Sequence, residues 1–141
     1  MRVSIFTRVR RPLMNASEVL LVEDSAGDAL LIRQALAESP MLVHLHIARD
    51  GEQALQILRE RDFKPDLIIL DLSLPKLSGY TVLEFCPEKT PVVVFTASQS
   101  ENDESRALSL GAREFVHKPM GVQDYKTTVC RIVRDHAGFM P

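Results

Sequence analysis

From residue 18 onward, short apolar runs alternate with stretches in which apolar side chains recur every three or four positions. The first pattern reads as buried strand and the second as amphipathic helix. Glu18-Val19-Leu20-Leu21-Val22 is a strand run that stops at two acids, Glu23 and Asp24. Residues 28–38 carry Leu31, Ile32, Ala35 and Leu36 at helical spacing, and Pro40 ends that helix. Residues 42–48 alternate like a strand, and residues 52–60 place Ala54, Leu55 and Leu58 on one helical face. Asp66-Leu67-Ile68-Ile69-Leu70 is another buried run, again ending in an acid, Asp71. A loop broken by Pro75 and Gly79 leads to a short helix near 80–86, closed by Pro87. Residues 91–95 form a strand run that ends at Thr96. Residues 101–110 read as a helix with Gly111 as its C-cap. Residues 113–117 form the last strand, before Lys118-Pro119, and Val122 to His136 the last amphipathic helix.

This gives five strands and five helices in alternation. Three of the strands are continuously apolar, as expected when helices cover both faces of a parallel sheet. The predicted fold is α/β, a doubly wound five-stranded parallel sheet over residues 18–136.

Composition narrows the class without naming a function. The chain has 141 residues, 45% apolar and 26% charged, with a net charge of -2. No apolar run approaches the ~20 residues of a membrane span. Cys86 and Cys130 do not form a disulfide framework, which suits a reducing, cytoplasmic compartment. The charge balance argues against a nucleic-acid face, which needs clustered Lys and Arg. Residues 1–17 differ from the rest, with Arg2, Arg8, Arg10 and Arg11 and no acid. The expectation there is a flexible basic tail. Residues 137–141 are expected to be a short C-terminal tail.

Ligands of such sheets bind beyond the carboxyl ends of the strands. Glu23, Asp24, Asp71, Thr96 and Lys118 all stand at those ends. Three carboxylates around one ammonium repel one another unless a cation joins them. Oxygen donors of this kind suit Mg²⁺. A Mg²⁺, a lysine and a hydroxyl around one remaining carboxylate would suit a phosphoryl group, with an aspartate as its acceptor.

At these residues the sequence resembles the receiver domains of two-component response regulators. The matching pieces are LLVEDSAGDALLI, DLSLPKLSG around Asp71, PVVVFTAS around Thr96 and GAREFVHKP ending at Lys118-Pro119. The opening also looks like the single-domain regulators that accompany phytochrome-type sensor kinases. The resemblance implies a flavodoxin-like receiver fold and a set of roles. Asp71 would accept a phosphoryl group from a phosphohistidine on a sensor histidine kinase or phosphotransfer protein. Asp24 would bind Mg²⁺ directly, Glu23 mostly through water, and Ser73 through its backbone carbonyl. Lys118 would pair with Asp71, and Thr96 would hydrogen-bond a phosphoryl oxygen. Phe115 would be the switch aromatic, and the Lys118–Pro119 bond is expected to be cis. Ser73 and Ser98, at positions that tune phosphoryl lifetime in this family, carry nothing that orients water well, so a long-lived phosphoryl state is expected.

The stretch from Asp71 to Thr96 is shorter than is typical of that family, and its helix looks clipped. With only residues 137–141 after the last helix, a stand-alone receiver is expected. Its output would be a protein contact or homodimerisation rather than DNA binding, and it would not be an enzyme with a separate substrate. The alternative is a haloacid-dehalogenase-like phosphohydrolase using Asp71 as nucleophile. Such an enzyme needs a second Asp two positions on, where Ser73 stands. A third reading is a degenerate interaction module that is never phosphorylated; the presence of every expected acid and of Lys118 disfavours it. His44 and His46 share a strand face, but no third metal ligand is near them in sequence, so they read as polar positions on an edge strand. His117 reads as a face-packing strand residue, and Cys130 as core or interface packing.

Overall fold

The computed structural model describes residues 2–6 and 16–138. Among the described residues, six strands and five helices follow one another as β1 (Val3–Phe6), β2 (Ser17–Val22), α1 (Ala26–Ala37), β3 (Val43–Ala48), α2 (Gly51–Leu58), β4 (Leu67–Leu70), α3 (Gly79–Phe85), β5 (Val92–Thr96), α4 (Glu101–Ser109), β6 (Glu114–His117) and α5 (Val122–His136). The sheet order is β1-β3-β2-β4-β5-β6. The five strands from β2 to β6 are parallel, as the sequence pattern predicts, in the flavodoxin-like order that the resemblance implies.

The added strand is a correction. Val3–Phe6 was expected to lie in a flexible tail, yet it pairs antiparallel with β3, Val3 opposite Ile47 and Phe6 opposite His44. The alternation in Val-Ser-Ile-Phe suits a strand, and Ile5 packs against the core. Ser17, placed in that tail too, opens β2 opposite Val43; the tail's remaining residues 1 and 7–15 and residues 139–141 of the predicted C-terminal tail lie outside the described residues.

Side-chain alternation sends Val19 and Leu21 of β2 to one face and Leu20 and Val22 to the other. The first face is covered by α1 and α5, through Ile32, Leu36, Val129 and Ile132. The second is covered by α2, α3 and α4, through Ala54, Val82 and Ala107. Truncating a fully buried leucine such as Leu20 would cost about 2–5 kcal/mol. Ser25, Asp50, Ser78 and Ser100 cap the first four helices by accepting a backbone N–H three residues on. The clipped helix α3 spans 7 residues and ends where Cys86 turns extended before Pro87. Gly111 takes φ 109° after α4, the left-handed C-cap that glycine adopts without strain. No peptide bond among the described residues is cis, so the expected cis bond at Lys118–Pro119 is trans. The trans form is the lower in energy for X–Pro by about 0.5–1 kcal/mol.

Candidate functional site

Hydrogen bonds of the parallel ladder run one residue past several strand ends and so fix the acids. The Glu23 N–H donates to Ala48 O at 3.0 Å, Asp71 N–H to Val22 O at 3.0 Å and Lys118 N–H to Thr96 O at 2.8 Å. Side chains at these positions therefore emerge together at the carboxyl edge of the sheet. Behind Asp71 the chain returns closely on itself. A Cβ on Gly79 would lie 2.7 Å from Asp71 O and 2.6 Å from Leu72 Cα, so only glycine lets α3 start there. Lys76 takes φ 69°, which makes room for the tight return of that loop.

The Lys118 ammonium sits at the centre of the edge. Its three N–H bonds go to Glu23 Oε1 at 2.7 Å, Asp71 Oδ2 at 3.0 Å and Asp28 Oδ2 at 3.1 Å. Asp71 Oδ1 accepts the Ser73 N–H at 3.2 Å, and Glu23 Oε2 accepts the Ser25 N–H at 3.1 Å. Glu23 and Asp71 are buried, whereas Asp24 is exposed at the mouth. One carboxylate oxygen from each of Glu23, Asp24 and Asp71 lies within 4.8 Å of the others.

The electrostatics follow from this crowding. Burial and the neighbouring Asp71 charge push the Glu23 carboxyl up to about 7, against the pull of Lys118. Burial alone would lower Lys118, but its bonds to Glu23 and the charges of Glu23 and Asp71 outweigh it, and the ammonium is held above the ordinary lysine value. Burial raises Asp28, but the Tyr125 hydroxyl, Lys118 and Ser25 outweigh it and hold Asp28 below the usual value. Asp28 was missed in the sequence. Its signal was an acid in the first turn of a helix that follows an acid-terminated strand.

Thr96 is fully buried at the end of β5, and its Oγ1 accepts the Ser98 N–H at 3.4 Å. Phe115 is half-buried opposite Val94 and packs on the α4 side. Its ring lies 5.4 Å from that of His117. His117 is exposed rather than packed into a sheet face, and its Nδ1–H donates to Ser98 O at 2.9 Å. Ser98 Oγ and Tyr80 Oη both donate to Asp103, which ties the loop after Thr96 to α3 and α4. Cys130 is half-buried against the α1 side of the core, as expected of a packing residue.

A second cluster lies near the amino end of β2. His44 and His46 are not on an edge strand, because β1 covers β3. Register places Glu18 opposite His44. Glu18 Oε1 lies 2.8 Å from His46 Nε2, and Oε2 lies 3.1 Å from His44 Nδ1.

The comparisons with known proteins agree with the geometry at the carboxyl edge. The response regulator receiver domain family matches residues 19–129. A protein-glutamate methylesterase/protein-glutamine glutaminase of Geobacter sulfurreducens is 36% identical over 119 residues, covering 82% of this chain and 32% of that protein. The chain thus spans about a third of such relatives. The probable methanogenesis regulatory protein FilR2 of Methanothrix harundinacea is 36% identical over 120 residues, covering 79% of this chain and 77% of that protein. Among solved structures, the phosphorylated cyanobacterial phytochrome response regulator RcpA superposes with a TM-score of 0.82 at 31% identity, over 89% of this chain and 97% of that one. The Mn²⁺-bound response regulator Rcp1 gives 0.80 at 32% identity, with the same coverage. Fold, strand order and family match converge, and the chain belongs to the response regulator receiver domain family.

Proposed function

We propose that the domain takes a phosphoryl group onto Asp71 in a Mg²⁺-dependent step, from the phosphohistidine of a sensor histidine kinase or phosphotransfer protein. The observation that carries this reading is the single Lys118 ammonium shared by Glu23, Asp71 and Asp28 at the carboxyl edge. The donor set fits a hard divalent cation, because Glu23, Asp24 and Asp71 already bring an oxygen each within 4.8 Å of one another. Glu23, Asp24, Asp71 and the Ser73 carbonyl would hold it. When bound, Mg²⁺ would offset the negative charge of the phosphoryl oxygens.

The chain's own residues supply positioning. Ser73 N–H and Lys118 fix the Asp71 carboxylate from two sides. One Asp71 oxygen attacks phosphorus as the P–N bond to the donor imidazole breaks, and the imidazole leaves with that electron pair. Lys118 then shifts its contact toward the transferred oxygens. Ser73 carries no carboxyl group where a haloacid-dehalogenase-like hydrolase would need its second acid, so Asp71 acts as an acceptor and not as the nucleophile of a turnover enzyme. Neither Ser73 nor Ser98 orients water, which favours a long-lived phosphoryl state.

The acyl phosphate carries about -1.5 to -2 charges at neutral pH, in place of the single carboxylate charge of Asp71. Thr96 would turn its hydroxyl to it, Phe115 would fill the space, and the Ser98–Asp103–Tyr80 ties would re-form. The altered surface would reach a protein partner or a second copy of the chain, with no role for DNA. None of the helices among the described residues is long and apolar enough to cross a membrane, and a cytoplasmic setting belongs to this proposal. Incubation with a small acyl phosphate and Mg²⁺, followed by intact mass, tests it. One added phosphoryl group on wild type and none on Asp71→Asn is the expected result. An equal gain on both proteins would mean another acceptor.

A further inference from the structure

We propose that Glu18, His44 and His46 form a second metal site, suited to Zn²⁺ and separate from the acidic edge. Strand geometry assembles it. His44 and His46 stand two residues apart on β3 and share a face, and Glu18 on β2 is in register with His44. One ligand atom from each residue lies within 4.8 Å of the others. The imidazole centroids are 4.1 Å apart, so both rings crowd onto one carboxylate. His46 is 3% exposed, and the Glu18 side chain, at 34%, gives the path from solvent.

The donors differ in kind from those at the carboxyl edge. Two imidazole nitrogens and one carboxylate select a transition metal such as Zn²⁺, whereas an all-oxygen set selects Mg²⁺. Three protein ligands leave a fourth position for water.

The surrounding groups define how the site loads. His44 Nδ1–H donates to Glu18 Oε2 while Nε2 accepts from the Ser4 hydroxyl; metal binding at Nδ1 would move that proton to Nε2, from which it donates to Ser4 Oγ. This is the usual outer support of a metal-bound histidine. His46 holds the opposite tautomer. Arg2 Nη2–H donates to its Nδ1 at 2.8 Å, which puts the ring proton on Nε2, toward Glu18. Metal binding at Nε2 requires that proton to move to Nδ1, with no net release. Arg2 must then withdraw, and Glu60, already its partner, is there to keep it. Because Arg2 immediately precedes β1, loading would loosen one contact of the edge strand with β3.

Zinc titration of the full chain by calorimetry in saturating Mg²⁺ tests the site, with Co²⁺ as the spectroscopic probe. The expected result is one zinc per chain and a tetrahedral Co²⁺ spectrum. His44→Ala, His46→Ala and Glu18→Gln should each weaken binding by about 100-fold or more, since even outer-shell changes cost about 10–100-fold. Asp71→Asn should leave it unchanged. Circular dichroism of each variant confirms that it is folded, and Glu18→Gln keeps the side chain's size. Imidazole nitrogen shifts should show His46 changing from the Nε2–H to the Nδ1–H tautomer on loading. Absence of saturable zinc binding, or binding lost in Asp71→Asn and kept in His44→Ala, would overturn the proposal. So would a His46 that keeps its Nε2–H tautomer at zinc saturation. None of these outcomes depends on whether Asp71 accepts phosphate.

Discussion

The carboxyl edge and the Glu18 cluster share one strand, β2, yet they settle their charge in opposite ways. At the carboxyl edge Glu23, Asp71 and Asp28 share one ammonium, and Asp24 stands beside them. Acids outnumber bases, so the edge is under tension that a cation relieves. At Glu18 one carboxylate meets two imidazoles, and neutral rings satisfy it through hydrogen bonds. That cluster is at rest and responds by moving a proton. Uncompensated negative charge, not merely a gathering of titratable groups, is what marks the first region for phosphoryl chemistry.

The largest test of this contrast is Lys118→Ala. Removing the shared ammonium leaves two buried carboxylates without a countercharge, and breaking such a contact costs about 3–5 kcal/mol. Denaturant midpoints in chelator-treated buffer near neutral pH should show a loss of that size. Millimolar Mg²⁺ should recover part of it, by binding the folded state. A loss under about 1 kcal/mol would mean that the edge is not strained by its acids.

Next in size is the pH dependence set by Glu23. Its carboxyl is raised from 4.5 to about 7 by burial and by Asp71. Between those values the folded chain keeps a proton that the unfolded chain has lost. Stability is therefore full below the unfolded value and falls as pH rises through the folded one, by up to about 3 kcal/mol. Glu23→Gln should flatten the stability profile of the metal-free protein across that window. If the decline with rising pH persists in the variant, another group carries it.

The two regions also differ in how far the sequence revealed them. Runs such as LLVED and LIILD announce both a strand and the acid at its end, so Glu23, Asp24 and Asp71 were legible together once the sheet was read as parallel. Asp28 was not, because it reaches Lys118 only through the pitch of α1. The Glu18 cluster was half legible. The His44–His46 spacing was visible, but Glu18 joins them through strand register, across 26 and 28 residues of chain. Which residue of β2 meets which residue of β3 depends on pairing across the α1 crossover, and neither run alone states it. β1 was hidden for the same reason. Four residues in an arginine-rich segment carry little signal until β3 offers them an edge.

The smallest expected effect belongs to the second region and has the opposite sign. Burial holds the His46 imidazole below the ordinary histidine value; the bond to Glu18 works against that, and the charges of His44 and Arg2 add to it. The groups facing the ring are thus Glu18 from β2, His44 from β3, Arg2 ahead of β1, and the Phe63 ring at 4.7 Å. A depressed base contributes stability above its unfolded value of 6.5, and that contribution is lost as pH falls through the folded value. Acidification should therefore weaken this flank while it relaxes the carboxyl edge. The effect is the smaller of the two because Glu18 offsets much of the burial. Denaturant midpoints of metal-free wild type, Glu23→Gln and His46→Gln between about pH 5 and 8 separate the slopes. His46→Gln should remove only the acid-side loss, and Glu23→Gln only the decline toward neutral pH. If one substitution erased both, the two regions would be one electrostatic unit, and the contrast between a strained edge and a resting flank would fall.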